Sequence, residues 1–98
     1  MKQISAKALK EKLAEKSRLY LLDVREDWEH QDFNIGGTNI PMNEVMSNTA
    51  KLPQDIPVIV YCKKGIRSQL VIQRLEEKFG FENLYNLEGG MEAWKAKA

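Results

Sequence analysis

The sequence predicts an α/β fold in which a small parallel β-sheet is covered by helices on both faces. Short apolar runs, such as residues 19–24 and 58–61, alternate along the chain with longer amphipathic segments. These runs show no alternation with polar residues, which is typical of strands that are buried on both sides. Because strands that alternate with helices in so short a chain need crossover connections, we expect them to lie parallel.

Length and composition restrict the classes of function. The 98 residues suffice for one domain with its own core, and we expect a single domain over residues 1–98. A net charge of +1 favours neither nucleic acid nor membrane as a partner. No apolar run reaches the roughly eighteen residues of a membrane span, and residues 1–5 do not resemble a signal peptide, so we expect a cytoplasmic protein. One cysteine and one histidine indicate no internal disulfide, no metal site and no bound cofactor.

The first elements are a helix and a strand. Ser5 can cap a helix over residues 6–15, whose apolar side is expected to face the core. The strand at 19–24 ends in a cluster of charged residues that includes Asp23 and Arg25. This edge of a parallel sheet is where ligands bind, so the two residues either support a site or form a structural ion pair.

The next segment is expected to pack through aromatic anchors. Trp28 and Phe33 are predicted to fix a short helical turn to the core. His30, which lies among polar and acidic neighbours, is interpreted as a solvated surface residue and not as a general base. Paired glycines and a proline within 35–41 indicate a turn, a short strand and its end. Residues 42–52 have weak periodicity and are predicted to form one short helix.

The C-terminal half repeats the pattern of strand and helix. After the strand at 58–61, a helix is predicted over 68–78 and is expected to end at Gly80. Its apolar face recurs at helical spacing and comprises Val71, Ile72, Leu75 and Phe79. A last strand at 84–87 and a terminal helix over 91–97, with Trp94 turned inward, complete the chain.

Cys62 stands where the central strand meets a short basic loop and then a helix. Free backbone N–H groups and the positive end of the dipole favour an anion at a helix N-terminus. Three cationic side chains lie within five residues of the sulfur: Lys63, Lys64 and Arg67. In that setting the thiol should ionise more readily than a free one. We therefore interpret Cys62 as a nucleophile, although a lone cysteine is more commonly a core residue.

The rest of the loop supplies candidate substrate-binding groups. Backbone N–H groups along the loop can curl toward the sulfur and form an anion nest. Gly65 would allow so tight a turn. Lys63 and Lys64 either attract a dianionic substrate or are merely solvated, and Ser68 either donates to the sulfur or caps the helix. The full candidate set is Lys63, Lys64, Gly65, Ile66, Arg67 and Ser68.

Four motifs occur in a fixed order along the chain. They are LDVRE at 22–26, IGGTNIP at 35–41, CKKGIRS at 62–68 and LEGGMEAW at 87–94. In this order and spacing, which spans nearly the whole length, they resemble the single-domain rhodaneses, a family of sulfurtransferases. The resemblance implies a five-stranded parallel sheet with helices on both faces, its first strand lying near Ile4. It also implies that Cys62 accepts a sulfane sulfur as a persulfide and passes it to a second nucleophile.

The same resemblance implies the partners. The sulfur donor would be thiosulfate or a similar small molecule, and the acceptor a thiol, cyanide, a sulfur carrier protein or a thioredoxin-type protein. Asp23 and Arg25 would support the site. Because no second cysteine can resolve the persulfide, an outside molecule must discharge it, and we expect an open active face on a monomer. The chain departs from the family at 33–38, FNIGGT, where Gly-His-Ile-Pro-Gly-Ala is usual; we expect altered loop packing without loss of activity.

Two other functions remain open. Cysteine phosphatases that share this fold place five residues between Cys and Arg, whereas four separate Cys62 from Arg67. The tighter ring should suit one sulfur better than phosphate or arsenate, which disfavours a phosphatase or arsenate reductase. A non-catalytic module that binds or regulates a partner is disfavoured by the intact cysteine and basic loop. Arg67 either faces the substrate or pairs with an acidic residue such as Asp23 or Glu26.

Overall fold

The computed structural model describes residues 1–96 and contains a five-stranded, all-parallel β-sheet with helices on both faces. In chain order the elements are β1 (Gln3–Ile4), α1 (Ala6–Ala14), β2 (Tyr20–Asp23), α2 (Asp27–Asp32), β3 (Thr38–Asn39), two 3₁₀ helices (Met42–Ser47 and Thr49–Lys51), β4 (Val58–Tyr61), α3 (Ile66–Phe79), β5 (Leu84–Leu87) and α4 (Gly90–Ala96). The strand order is β1-β5-β4-β2-β3. The predicted fold is confirmed, and the predicted helix end at Lys97 lies outside the described residues.

Two hydrophobic cores lie on opposite faces of the sheet, as the continuous apolar runs predicted. Along β4, Val60 packs in one core, while its neighbours Ile59 and Tyr61 pack in the other. The first core includes the buried side of α3, and the second includes residues of α1 and α4. Burial on both faces explains why β4 consists of three aliphatic residues and one tyrosine.

The carboxyl ends of β2 and β4 bring the two predicted site segments together. Asp23, the last residue of β2, is in register with Tyr61, the last residue of β4. The loop that follows each strand therefore begins at the same edge of the sheet. This is the edge at which open parallel sheets bind ligands.

Helix α3 differs from its predicted bounds at its start. It begins at Ile66, two residues before the predicted Ser68, because Gly65 adopts a left-handed backbone (φ +91°) and turns the chain directly into the helix. Its last residue is Phe79, and Gly80, the predicted stop, follows it and is also left-handed (φ +69°). The predicted core role of Phe79 was wrong: its side chain is exposed, and Phe81, beyond the turn, is buried instead.

Two other predictions of local structure were wrong. Residues 42–52 form two short 3₁₀ helices, because the chain breaks at Asn48, whose side chain donates to the backbone oxygen of Glu44. Trp28 does not anchor α2 to the core: 70% of it is exposed, and Phe33 is exposed as well. Helix α2 is instead fixed by a capping box in which Glu26 and Glu29 each bond the other's backbone N–H.

Within residues 1–96, the helices are too short and too polar to cross a membrane.

Candidate active site

Cys62 leaves the sheet directly after β4 and is a free thiol. Only 1% of the residue is exposed. It nevertheless lines a pocket of about 160 Å³, together with Lys63, Lys64, Ile66 and Arg67. Cys62 is therefore almost completely buried beside a small pocket. The open active face that the sequence predicts for an outside sulfur acceptor stays a prediction.

The loop after Cys62 directs neutral donors at the sulfur. The backbone N–H groups of Gly65 and Ser68 donate to Sγ, with N···S distances of 3.1 and 3.4 Å. The left-handed conformation of Gly65 permits this turn, and a Cβ there would lie 3.3 Å from the backbone nitrogen of Gly89. Two members of the predicted anion nest thus contact the sulfur.

Ser68 is the third residue of α3, and its side chain is directed into the site. Its Oγ lies 3.3 Å from Cys62 Sγ and donates a hydrogen bond to Asn86 Oδ1. The helix N-cap is Gly65, with no side-chain cap, so the capping interpretation of Ser68 was wrong. Asn86 Nδ2 in turn donates to Gln3 Oε1 at 2.9 Å.

Sequence reasoning missed Asn86 and Gln3. The available signal was the asparagine within the apolar run of β5, since a polar side chain in a buried strand needs a specific hydrogen-bond partner. Asn86 is 0% exposed, as is Ser68.

The loop backbone is also held from the far side by α4. The carbonyl oxygen of Cys62 accepts from the N–H of Met91 at 2.9 Å, and that of Lys63 from the N–H of Glu92 at 3.0 Å. These N–H groups belong to the first turn of α4, where no intrahelical acceptor is available. The two exposed side chains of Lys63 and Lys64 therefore project from a fixed backbone.

Arg67 forms an ion pair, but with neither predicted partner. Its Nη1 and Nη2 donate to the two carboxylate oxygens of Glu29 at 2.8 and 3.0 Å. The hydrogen bonds from Arg67 hold the pKa of Glu29 at about 2, well below its ordinary 4.5, and the same contact raises the pKa of Arg67. Arg67 still lines the Cys62 pocket, so the paired guanidinium forms part of its wall.

Asp23 and Arg25 form the structural ion pair that the sequence left as one alternative. Asp23 is 0% exposed and accepts from the backbone N–H, Nε and Nη2 of Arg25 at 2.8–3.2 Å. Arg25 also lies over the Tyr61 ring, 5.5 Å from its centroid. Burial, together with the charge of Asp23, raises the pKa of Tyr61 to about 12.

His30 belongs to the same cluster and is not the solvated residue that its sequence neighbours predicted. Its Nδ1 lies 2.8 Å from Asp23 Oδ2, and because a carboxylate only accepts, the ring nitrogen is the donor. One turn of α2 therefore directs Glu29 toward Arg67 and His30 toward Asp23. Among residues 1–96, no three His, Cys, Asp or Glu side chains come together as a candidate metal site.

Known proteins resemble this chain over nearly its whole length. Residues 5–97 match the model of the Rhodanese-like domain family. The chain is 39% identical over 98 residues to the putative sulfurtransferase YtwF of Bacillus subtilis, covering 99% of this chain and 93% of that protein. It is 38% identical over 85 residues to the thiosulfate sulfurtransferase GlpE of Coxiella burnetii, covering 86% and 78%.

The fold is also found among solved structures. The crystal structure of a rhodanese-like domain protein from Staphylococcus aureus superposes with a TM-score of 0.87 at 34% identity, covering 96% of this chain and 91% of that one. With a family match over nearly the whole chain and relatives that share its length, this protein belongs to the family of rhodanese-like domains.

Proposed function

We propose that this protein is a sulfurtransferase that carries a sulfane sulfur as a persulfide on Cys62. The observation that supports the proposal is the set of donors at Sγ: two backbone N–H groups at 3.1 and 3.4 Å beneath a small pocket. A persulfide is an anion, and its negative charge needs hydrogen-bond donors close to the outer sulfur and Sγ. Fixed amide dipoles in a recessed site favour such a charge.

The first half-reaction transfers sulfur from the donor to the enzyme. The Cys62 thiolate attacks the outer sulfur of thiosulfate and forms an S–S bond to Sγ. The S–S bond within thiosulfate breaks, and sulfite leaves with its electron pair. The relative named as a thiosulfate sulfurtransferase supports thiosulfate as the donor.

The second half-reaction returns the thiolate. A nucleophilic acceptor attacks the outer sulfur, the Sγ–S bond breaks, and Cys62 leaves as the thiolate. With cyanide the product is thiocyanate; with a thiol it is a persulfide on the acceptor. A pocket of about 160 Å³ admits a small anion whole, whereas a protein acceptor must present only its reactive atom.

The loop residues divide the remaining tasks. The amides of Ile66 and Arg67 lie in the first turn of α3, so they have no intrahelical acceptor and are suited to bind the outer sulfur. Lys63 and Lys64 offset the charge of an approaching dianion. Glu29 fixes Arg67 as a wall of the pocket, and the pair of Asp23 and Arg25 braces the neighbouring loop.

Intact mass before and after incubation with thiosulfate tests the proposal. We expect the gain of one sulfur atom, its removal by cyanide with formation of thiocyanate, and no gain in Cys62→Ala. Cys62→Ser should keep the fold, measured by circular dichroism, and lose all transfer. A folded protein that gains no sulfur from thiosulfate or other sulfane donors would favour the non-catalytic module, and turnover of an aryl phosphate without sulfur transfer would favour the phosphatase.

A further inference from the structure

The Ser68 hydroxyl has one proton and two neighbours that compete for it. Its Oγ contacts Cys62 Sγ at 3.3 Å and also bonds Asn86 Oδ1. Because a carboxamide oxygen only accepts, the proton lies toward Asn86, and Ser68 turns its lone pairs to the sulfur. This arrangement suits a neutral thiol, whose S–H can donate to Ser68. It does not suit a thiolate or a persulfide, which needs a donor from the same hydroxyl.

The orientation of the Asn86 carboxamide is itself set by a third residue. Asn86 Nδ2 donates to Gln3 Oε1 at 2.9 Å, which keeps Oδ1 turned toward Ser68. Asn86 is completely buried in β5, whereas Gln3 is exposed on the edge strand β1. The three side chains thus form a hydrogen-bonded chain from the sulfur to the protein surface.

We propose that Asn86 is a positioning residue that sets the direction of the Ser68 proton according to the charge of the sulfur. When the sulfur becomes anionic, the Asn86 carboxamide turns over, its NH₂ donates to Ser68 Oγ, and the hydroxyl proton turns to the sulfur. The amide of Gln3 turns with it and presents its own NH₂ to Asn86 Oδ1. Ser68, Asn86 and Gln3 then stay hydrogen-bonded to one another in both states, and solvent lowers the cost of turning Gln3.

The inference rests on the proposed function only in that Cys62 must react as an anion. The test therefore measures the rate of iodoacetamide alkylation of Cys62 against pH, which needs no sulfur donor. Asn86→Leu removes the competing acceptor and frees the Ser68 proton for the sulfur. Gln3→Glu, at an exposed position, accepts only, so it holds the carboxamide of Asn86 in the orientation that keeps the proton away.

We expect the two substitutions to move the midpoint of the alkylation profile in opposite directions. Asn86→Leu should lower it and Gln3→Glu should raise it, each by about one pH unit, which is about a tenfold change in the thiolate fraction at a fixed pH. In a Ser68→Ala background both shifts should fall to about a quarter of that size or less, because the hydroxyl that transmits them is absent.

Two results would overturn the inference. Unchanged midpoints in the folded variants would show that Asn86 does not direct the Ser68 proton. Equal shifts with and without Ser68 would assign the effect to the charge or packing of the new side chain. If Asn86→Leu does not fold, Gln3→Glu decides alone. If the protein gains sulfur from thiosulfate but shows either result, the proposed function stands and the role of Asn86 as a positioning residue is refuted.

Discussion

Two neighbouring regions of the site stabilise charge in different ways. The sulfur cradle consists of neutral groups that face Cys62: the N–H groups of Gly65 and Ser68 and the Ser68 hydroxyl. The charged brace beside it consists of two groups of hydrogen-bonded ionisable residues: Asp23 with Arg25 and His30, and Glu29 with Arg67. Formal charges in the brace are bonded to one another, whereas the groups within residues 1–96 that are hydrogen-bonded to the sulfur are dipoles.

The difference has a physical reason. The proposed function takes the sulfur through thiol, thiolate and persulfide, so it needs donors that carry no formal charge. The backbone amides are fixed dipoles, and the Ser68 hydroxyl can reorient at little cost. A buried full charge must stay paired, because leaving it alone costs several kcal/mol. The brace therefore fixes Arg67 in the wall of the pocket, while the Ser68 hydroxyl of the cradle can reorient as the charge of the sulfur changes.

The largest effect should come from breaking the brace at its buried carboxylate. Asp23→Asn leaves the guanidinium of Arg25, which is 5% exposed, without its counter-charge. We expect a loss of about 3–5 kcal/mol in the free energy of unfolding, measured by urea denaturation. Asp55→Asn is the matched control, since its side chain is 75% exposed and lies 3.9 Å from Arg18; it should cost less than about 1 kcal/mol. Equal losses in the two variants would contradict a structural role for Asp23.

A substitution within the cradle should lower stability less than Asp23→Asn does, but it should lower sulfur transfer more. Gly65→Ala places a Cβ on a left-handed residue (φ +91°), 3.3 Å from the Gly89 nitrogen. We expect a loss of about 1–3 kcal/mol in unfolding free energy and, because the amide shifts away from Sγ, at least about a tenfold loss of sulfur transfer.

The control for Gly65 is Gly80, which is also left-handed (φ +69°) but has open space around its missing Cβ. Gly80→Ala should cost about 1–2 kcal/mol and leave sulfur transfer unchanged. If both variants lose stability and neither loses activity, the amide of Gly65 does not stabilise the reacting sulfur.

The pair of Glu29 and Arg67 predicts a dependence of stability on pH. The pKa of Glu29 lies at about 2 in the folded protein against an ordinary 4.5, so its contribution is complete above pH 4.5 and is lost as the pH falls toward 2. Glu29→Gln should lower the unfolding free energy by about 1 kcal/mol at pH 7, and the gap to the wild type should narrow below pH 4.5. Urea denaturation of both proteins at pH 7, 4 and 3 measures this difference in unfolding free energy. A difference that is constant across this range would contradict the ion pair.

The cradle and the brace also differ in how far the sequence predicts them. The cradle is local: Cys62, Gly65 and Ser68 lie within one strand, turn and helix. Apolar periodicity and a single glycine therefore indicate that the three residues come together, although the helix begins two residues earlier than predicted. The brace is not local, because 38 positions separate Glu29 from Arg67. Periodicity tells which side of a helix is polar but not which distant residue that side will meet.

The same limit explains why Asn86 was missed and why the predictions for His30 and Trp28 were wrong. Asn86 is bonded to Ser68 across two elements, and nothing near it in the sequence names that partner. His30 was read from its polar neighbours, but α2 turns its ring toward Asp23. Trp28 is predicted to anchor this helix to the core, but its side chain is exposed, and a capping box that needs no aromatic anchor holds the helix.

The smallest effect should come from the exposed lysines, which belong to neither region. Lys64 lines the pocket but stands in solvent, so its charge should assist the approach of a dianion without contacting the reacting sulfur. We expect Lys64→Ala to raise the KM for thiosulfate about two- to fivefold with little change in kcat, and the difference to shrink in high salt. Lys78→Ala, also exposed and near the other end of α3, should change neither constant. Equal turnover by the wild type and Lys64→Ala at every thiosulfate concentration would remove this lysine from the substrate site.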